Sequence, residues 1–237
     1  MRILVLENDP VVPPGRLATE AATAGHEIVM VRLHQGDRID DAGHYDAIVV
    51  LGGGMGSYEE DAYPFLVDEK QFLVEAVDRG VPVLGLCLGS QLLADALGGR
   101  VYLADTPEVQ LCRAEIEVED DPVAMALGST DALLFHRDTF VLPPGATVLA
   151  KTTDFIHAFR IGSGVGVQAH PEVTRDTALA WIDSPESADI VEGAGVDRAE
   201  LRARVAGAEE ALSDLATSFF SAWFAEAESL LDSSVAT

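Results

Sequence analysis

Val83-Leu-Gly-Leu-Cys87-Leu-Gly-Ser-Gln-Leu-Leu-Ala-Asp-Ala-Leu97 is an apolar run of strand character that passes directly into a helical pattern, with a cysteine at the junction and Gly85 and Gly89 on either side of it. A strand that turns into a helix at a single residue needs small neighbours. The residue at the turn is strained and projects its side chain from the sheet edge, as the serine does in a G-x-S-x-G elbow. Free N–H groups and the positive dipole end of the helix favour a negatively charged sulfur there, and they let the Leu88 amide point toward an oxyanion. Free cysteines in cores are usually small hydrophobes; the glycine bracket and the strand-to-helix transition single out Cys87 as a nucleophile. Cys112, in Val109-Gln-Leu-Cys-Arg113, lacks that setting and is read as structural, and the two cysteines are not paired in this reading.

Upstream of this turn, residues 2–7 form a β-favouring run, Asn8-Asp9-Pro10 and Pro13-Pro14-Gly15 are turn sequences, and residues 16–24 are helical in pattern. Strands follow over 27–33 and 46–51, the second ended by Gly52-Gly53-Gly54, then a helix over 65–79 stopped by Gly80, and a strand over 81–86. Buried strands alternating with helices predict an α/β fold with a mainly parallel sheet covered on both faces, and ligands are expected beyond the carboxyl ends of its strands.

Downstream, residues 101–167 break into short runs between turns and predict a small antiparallel β portion. At its end, Val165-Gly-Val-Gln-Ala-His170-Pro-Glu172 reads as a strand closing on a histidine and a glutamate two residues apart. In an extended backbone such residues share a face, so Glu172 is placed to steady an imidazole directed at a thiol. Beyond it the chain is helical, with a long helix expected over 197–231, interrupted at Gly207, and a mobile acidic loop over 183–195. Leu212, Leu215, Phe219, Phe220, Trp223 and Phe224 form an apolar stripe that is read first as core and second as a docking face.

A chain of 237 residues, 48% hydrophobic, is long enough for one sizeable core, and residues 1–237 are read as a single domain, with a catalytic core over 1–180 and a helical extension over 181–237. The formal net charge of −25 excludes non-specific nucleic-acid binding, which depends on clustered Lys and Arg. No apolar run approaches the about 20 residues of a membrane span, and no leader is evident, so a cytoplasmic setting without membrane partners is expected. The histidines do not cluster with cysteines at ligand spacing, so neither metal nor cofactor is expected.

The motifs Leu51-Gly-Gly-Gly-Met-Gly-Ser-Tyr58, Gly85-Leu-Cys-Leu-Gly-Ser-Gln91, His136-Arg-Asp-Thr-Phe140, Ala158-Phe-Arg160 and Gln168-Ala-His-Pro-Glu172 occur in the order seen in class I glutamine amidotransferases. Residues 1–180 resemble that family, specifically stand-alone proteins similar to the glutaminase half of GMP synthase. The resemblance implies a flavodoxin-like fold and a triad of Cys87, His170 and Glu172. It further implies an oxyanion hole from the amides of Gly53 and Leu88, and substrate contacts around Gly54, Gln91, His136, Arg137 and Asp138. Departures stand beside it. Gly54 occupies a place usually held by proline, Arg137 that of a small residue, His157 that of a glutamine and Ala169 that of a phenylalanine, and Glu108-Val-Gln110 lacks a usual glycine.

The function this resemblance implies is hydrolysis of the glutamine side-chain amide, releasing ammonia for an unidentified acceptor; since no acceptor motif is found in this chain, any synthase that takes the ammonia is expected to be a separate subunit. A γ-glutamyl peptidase using the same triad is the alternative on γ-glutamyl compounds. A catalytically silent binding or regulatory subunit is the alternative of another class, and the intact triad residues weigh against it.

Overall fold

The strands over residues 3–7, 47–50 and 83–86 are largely apolar, and the computed structural model, which describes residues 1–235, buries both of their faces. The chain runs β1 (Arg2–Glu7), α1 (Gly15–Thr23), β2 (Glu27–Arg32), β3 (Ala47–Val50), α2 (Phe65–Asp78), β4 (Val83–Leu86) and α3 (Leu88–Ala96). It continues through β5 (Arg100–Cys112), β6 (Glu115–Ile116), α4 (Pro122–Leu127), β7 (Ala132–Val141), β8 (Thr147–Lys151), β9 (Ile156–Ile161) and β10 (Gly164–Val167), and closes with α5 (Arg175–Asp183), α6 (Ala188–Gly193), α7 (Arg198–Ala206) and α8 (Glu209–Val235). Eight strands form one sheet in the order β2-β1-β3-β4-β10-β9-β8-β6, parallel from β2 to β10 and antiparallel beyond it. β5 and β7 make a separate antiparallel ribbon.

Alternation along the strands assigns the two cores. Ile3, Val5, Ala47 and Val49 face α1 and α8, whereas Leu4, Leu6, Ile48 and Val50 face α2 and α3. A third cluster joins Val109, Leu111 and Leu133 of the ribbon to Val173, Ile182, Val191, Leu201 and Val205. The expected α/β class and parallel sheet are therefore present. The apolar stripe on α8 is core: Leu215, Phe219, Phe220 and Trp223 are buried with Ile3, Val5 and Leu17. Arg160 of β9 pins this helix, bridging Asp121 (2.7 Å) and Glu226.

One local expectation is corrected. Residues 183–195 are structured: Ser184 caps a short 3-10 turn by accepting the Glu186 N–H (3.1 Å), and α6 follows, with Val191 buried in the third cluster. The helix expected over 197–231 breaks at Gly207 as anticipated, into α7 and α8, with Gly207 capping the first. Within the β portion the chain also forms α4, started by Asp121, whose carboxylate accepts the Val123 and Ala124 N–H groups at 3.0 Å. Among the described residues no helix is long and apolar enough to cross a membrane.

Candidate active site

β4 lies in the middle of the sheet between β3 and β10, so a side chain leaving its carboxyl end emerges among the loops that follow both neighbours. Cys87 is that residue. It is the non-glycine residue with positive φ among the described residues, at φ 49° and ψ −108°, a conformation that costs about 1–3 kcal/mol. Its N–H donates to the Val167 carbonyl of β10 (2.8 Å). The glycine bracket has a steric cause, because a Cβ on Gly89 would lie 2.2 Å from the Val50 carbonyl oxygen and one on Gly85 would lie 2.4 Å from that of Gly89. α3 could not approach the sheet with side chains there. The amides of Leu88 and Gly89 open this helix ahead of any intrahelical acceptor.

Immediately after β10 the chain crosses to the ribbon. The Gln168 N–H donates to the His157 carbonyl (2.8 Å) and the His170 N–H to that of Leu133 (3.0 Å). The His170 ring, 2% exposed, bonds Glu172 Oε1 through Nδ1 at 2.7 Å and also bonds Cys87. Since Nδ1 is engaged by the carboxylate, Nε2 is the nitrogen left for the sulfur. The edge of Trp181 packs on the ring at 4.8 Å, and its indole N–H donates to the Val11 carbonyl (2.7 Å). The Glu172 backbone is fixed in turn, its carbonyl accepting the Arg16 N–H at 2.8 Å. Burial alone pushes the His170 imidazole down. The charges of Glu172 and Cys87 and their hydrogen bonds outweigh it and raise the ring to about 10.

The glycines after β3 face this pair. A Cβ on Gly52 would stand 3.3 Å from His170 Cε1 and 3.5 Å from Cys87 Cβ, so the open space over the nucleophile depends on that residue. Gly53 packs on Leu88, whose Cδ2 would lie 2.8 Å from a Cβ added there. Gly54 is exposed; its N–H donates to Asp9 Oδ2 (3.0 Å), and its carbonyl accepts from Arg137 Nη2 (3.1 Å). Arg137 is exposed as well.

The other expected substrate contacts spend their polar atoms on the protein. Gln91 is buried and donates from Nε2 to the Asp138 carbonyl (3.1 Å) and to Gln168 Oε1 (3.4 Å). His136 is buried between Glu108 Oε2 (2.9 Å) and the same Asp138 carbonyl (3.0 Å). The Asp138 carboxylate accepts the Tyr58 hydroxyl (2.9 Å), and that phenol is pushed up to about 12 by burial and by the carboxylate.

Four neighbours of the site were not singled out from the sequence. Gln168 donates to Cys87 Sγ at 3.6 Å; it lies inside the 168–172 motif and two residues before His170, so strand periodicity contained the signal. Asn8, Asp9 and Trp181 lie in a turn and in a helix outside the motifs, and nothing in their local pattern marks them. A cavity of about 970 Å³ opens between the ribbon and the α6–α7 segment and shares Glu108 with the His136 pair. Among the described residues no group of three or more His, Cys, Asp or Glu is placed to hold a metal ion.

A central parallel sheet with a strained cysteine at its edge and a buried His–Glu pair against the sulfur defines a cysteine hydrolase of α/β type. The model of the family described as glutamine amidotransferase class-I matches residues 15–180, and the chain belongs to that family. It is 37% identical over 129 residues to the glutamine-hydrolyzing GMP synthase of Thermomicrobium roseum, covering 53% of this chain and 23% of that protein. To the enzyme of the same name from Prochlorococcus marinus it is 35% identical over 136 residues, covering 54% and 24%. The chain thus spans about a quarter of the length of these curated relatives. A solved glutamine amidotransferase from Thermotoga maritima is 28% identical and superposes with a TM-score of 0.82, over 94% of this chain and 97% of that one.

Proposed function

We propose that the protein hydrolyses the side-chain amide of glutamine through a thioester on Cys87. The observation that carries this reading is the elbow cysteine with His170 bonded to it and Glu172 2.7 Å behind the ring. In the first half-reaction the raised His170 imidazole holds the proton taken from the thiol while the sulfur attacks the amide carbon. The resulting oxyanion is met by the Gly53 and Leu88 amides, each donor worth roughly 3 kcal/mol of barrier. Collapse breaks the C–N bond, and His170 returns the proton to the departing ammonia. Water then adds to the thioester with His170 again as base, releasing glutamate and the thiol. Glu172 keeps the ring oriented throughout. Gln91, His136 and Asp138 shape the glutamyl side of the pocket, with Gly54 and Arg137 on its rim. Residues 1–237 act as one unit in this reading.

The curated relatives reported above are glutamine-hydrolyzing GMP synthases, which supports ammonia passing on to a synthase. The test is release of glutamate and ammonia from glutamine by purified protein, beside a panel of γ-glutamyl dipeptides, with Cys87→Ala as control. Cys87-dependent turnover of glutamine is expected. Turnover of the dipeptides alone would replace this reading by the peptidase, and silence on both with a Cys87 unreactive to a glutamine-analogue chloroketone would end the catalytic reading.

A further inference from the structure

Three consecutive glycines, Gly52-Gly53-Gly54, form the turn over the nucleophile, and such a run has more backbone freedom to lose than any other three residues. Its orientation must come from outside it. The peptide between Leu51 and Gly52 is tied by Asn8, whose Nδ2 donates to the Leu51 carbonyl at 3.4 Å. The peptide between Gly53 and Gly54 is tied by Asp9, which accepts the Gly54 N–H at 3.0 Å; in a trans peptide this sends the Gly53 carbonyl the opposite way. The peptide between Gly54 and Met55 is tied by Arg137, which donates to the Gly54 carbonyl at 3.1 Å. The peptide between Gly52 and Gly53 is the untied one: among the described residues the Gly53 N–H donates to nothing. It is held by its neighbours yet keeps its own donor for a ligand.

The anchors are themselves fixed. Asp9 Oδ1 accepts the Val11 N–H (3.1 Å), so the carboxylate bridges its own turn and the glycines. Asn8 is fully buried and donates also to Glu69 Oε1 of α2 (3.2 Å). The same turn carries the Val11 carbonyl that receives the Trp181 indole against His170.

We propose that Asp9 and Arg137 are positioning residues that lock the glycine turn so that the Gly53 amide is available to the oxyanion at Cys87 without any second protein to set it. This rests on the amidotransferase reading above. A carboxamide at position 9 has one acceptor oxygen for the two N–H groups of Val11 and Gly54 that the carboxylate serves, whereas a methyl accepts neither.

The test uses the full chain and the variants Asp9→Ala, Asp9→Asn and Arg137→Ala. Amide hydrogen exchange is read on the peptide covering residues 51–58, and kcat and KM on glutamine. Asp9→Ala is expected to speed exchange in that peptide and to lower kcat about tenfold, with KM changed less than about twofold, the rate equivalent of one lost hydrogen bond to an oxyanion donor's frame. Asp9→Asn, which keeps one of the two acceptors, should lower kcat less than Asp9→Ala does, and Arg137→Ala, which removes one tie from the same turn, should also fall between Asp9→Ala and native. Alkylation of Cys87 by iodoacetamide, which forms no oxyanion, should be unchanged in all three. Unchanged exchange or unchanged kcat in Asp9→Ala overturns the proposal, as does an equal loss in iodoacetamide reactivity, which would place the damage at the nucleophile. Native protein that releases no ammonia fails the amidotransferase reading instead, and the exchange arm still decides the lock.

Discussion

The molecule holds two buried histidine–glutamate pairs of nearly equal length, His170–Glu172 at 2.7 Å and His136–Glu108 at 2.9 Å. They differ in what the second ring nitrogen meets. In His136 it bonds the Asp138 carbonyl, so both nitrogens face acceptors and the ring is a fixed strut under Gln91 and the 136–138 strand. In His170 the second nitrogen faces Cys87, a group able to give up a proton, and the ring has chemistry left to do. On the proposed function the same residue pair is scaffold in one place and acid–base machinery in the other, and the third partner distinguishes them.

Exchanging the roles gives the largest expected effect. His170→Asn should lower kcat at least about a thousandfold and His136→Asn far less; each removes one partner of a buried pair and should cost stability on the order of 3 kcal/mol, less at Glu108, which keeps Gln110 Nε2 at 2.7 Å as a donor. Steady-state kinetics beside chemical denaturation of both variants checks this; equal activity losses would erase the distinction between the pairs.

Two buried groups with unpartnered atoms sharpen it by showing what happens where burial is the largest cause. Glu69, fully buried against Asn8 and facing no cation, is pushed by burial up to about 8, and its Oε2 and the Asn8 Oδ1 both lack partners. Its proton is held more tightly in the native state, so the penalty is absent below the ordinary value of 4.5 and grows as pH rises toward 8. Glu69→Gln supplies an amide that can donate to Asn8. It should therefore raise stability on the order of 3 kcal/mol at pH 8 and little at pH 4.5, read as the pH dependence of Tm.

His157 is the mirror case, with both ring nitrogens unpartnered and burial pushing it down to about 4. It is buried neutral, so stability should be lost as pH falls from 6.5 toward 4. His157→Gln should remove that acid limb, on the order of 2 kcal/mol at pH 4, in urea titrations across the same range. A native-like acid limb in the variant would mean that another group is responsible.

Much of this was written locally in the chain. The parallel sheet follows from doubly buried strands such as residues 2–7 and 81–86, and the elbow from Gly85 and Gly89, whose clearances of 2.2–2.4 Å admit no side chain. The pairing of His170 with Glu172 follows from strand periodicity. What could not be read is whatever depends on who lies across the fold. Glu69 is a charged residue on a helix, yet it is fully buried and its Oε1 accepts from Asn8, far away in sequence. Residues 183–195 look like loop because α6 is too short to show a period, and Val191 becomes a core residue only against the ribbon. Gly54 and Arg137, two departures from the family pattern, are in contact with each other, and no reading of either position alone reveals it.

The central claim is that Cys87 carries the acyl group. Acid-quenching the protein during turnover of glutamine and mapping adducts by peptide mass tests it most directly. The account predicts a hydroxylamine-sensitive γ-glutamyl thioester on the peptide that contains Cys87, with both adduct and ammonia release absent from Cys87→Ala. Ammonia release that persists in Cys87→Ala, or an adduct on another residue, would contradict it.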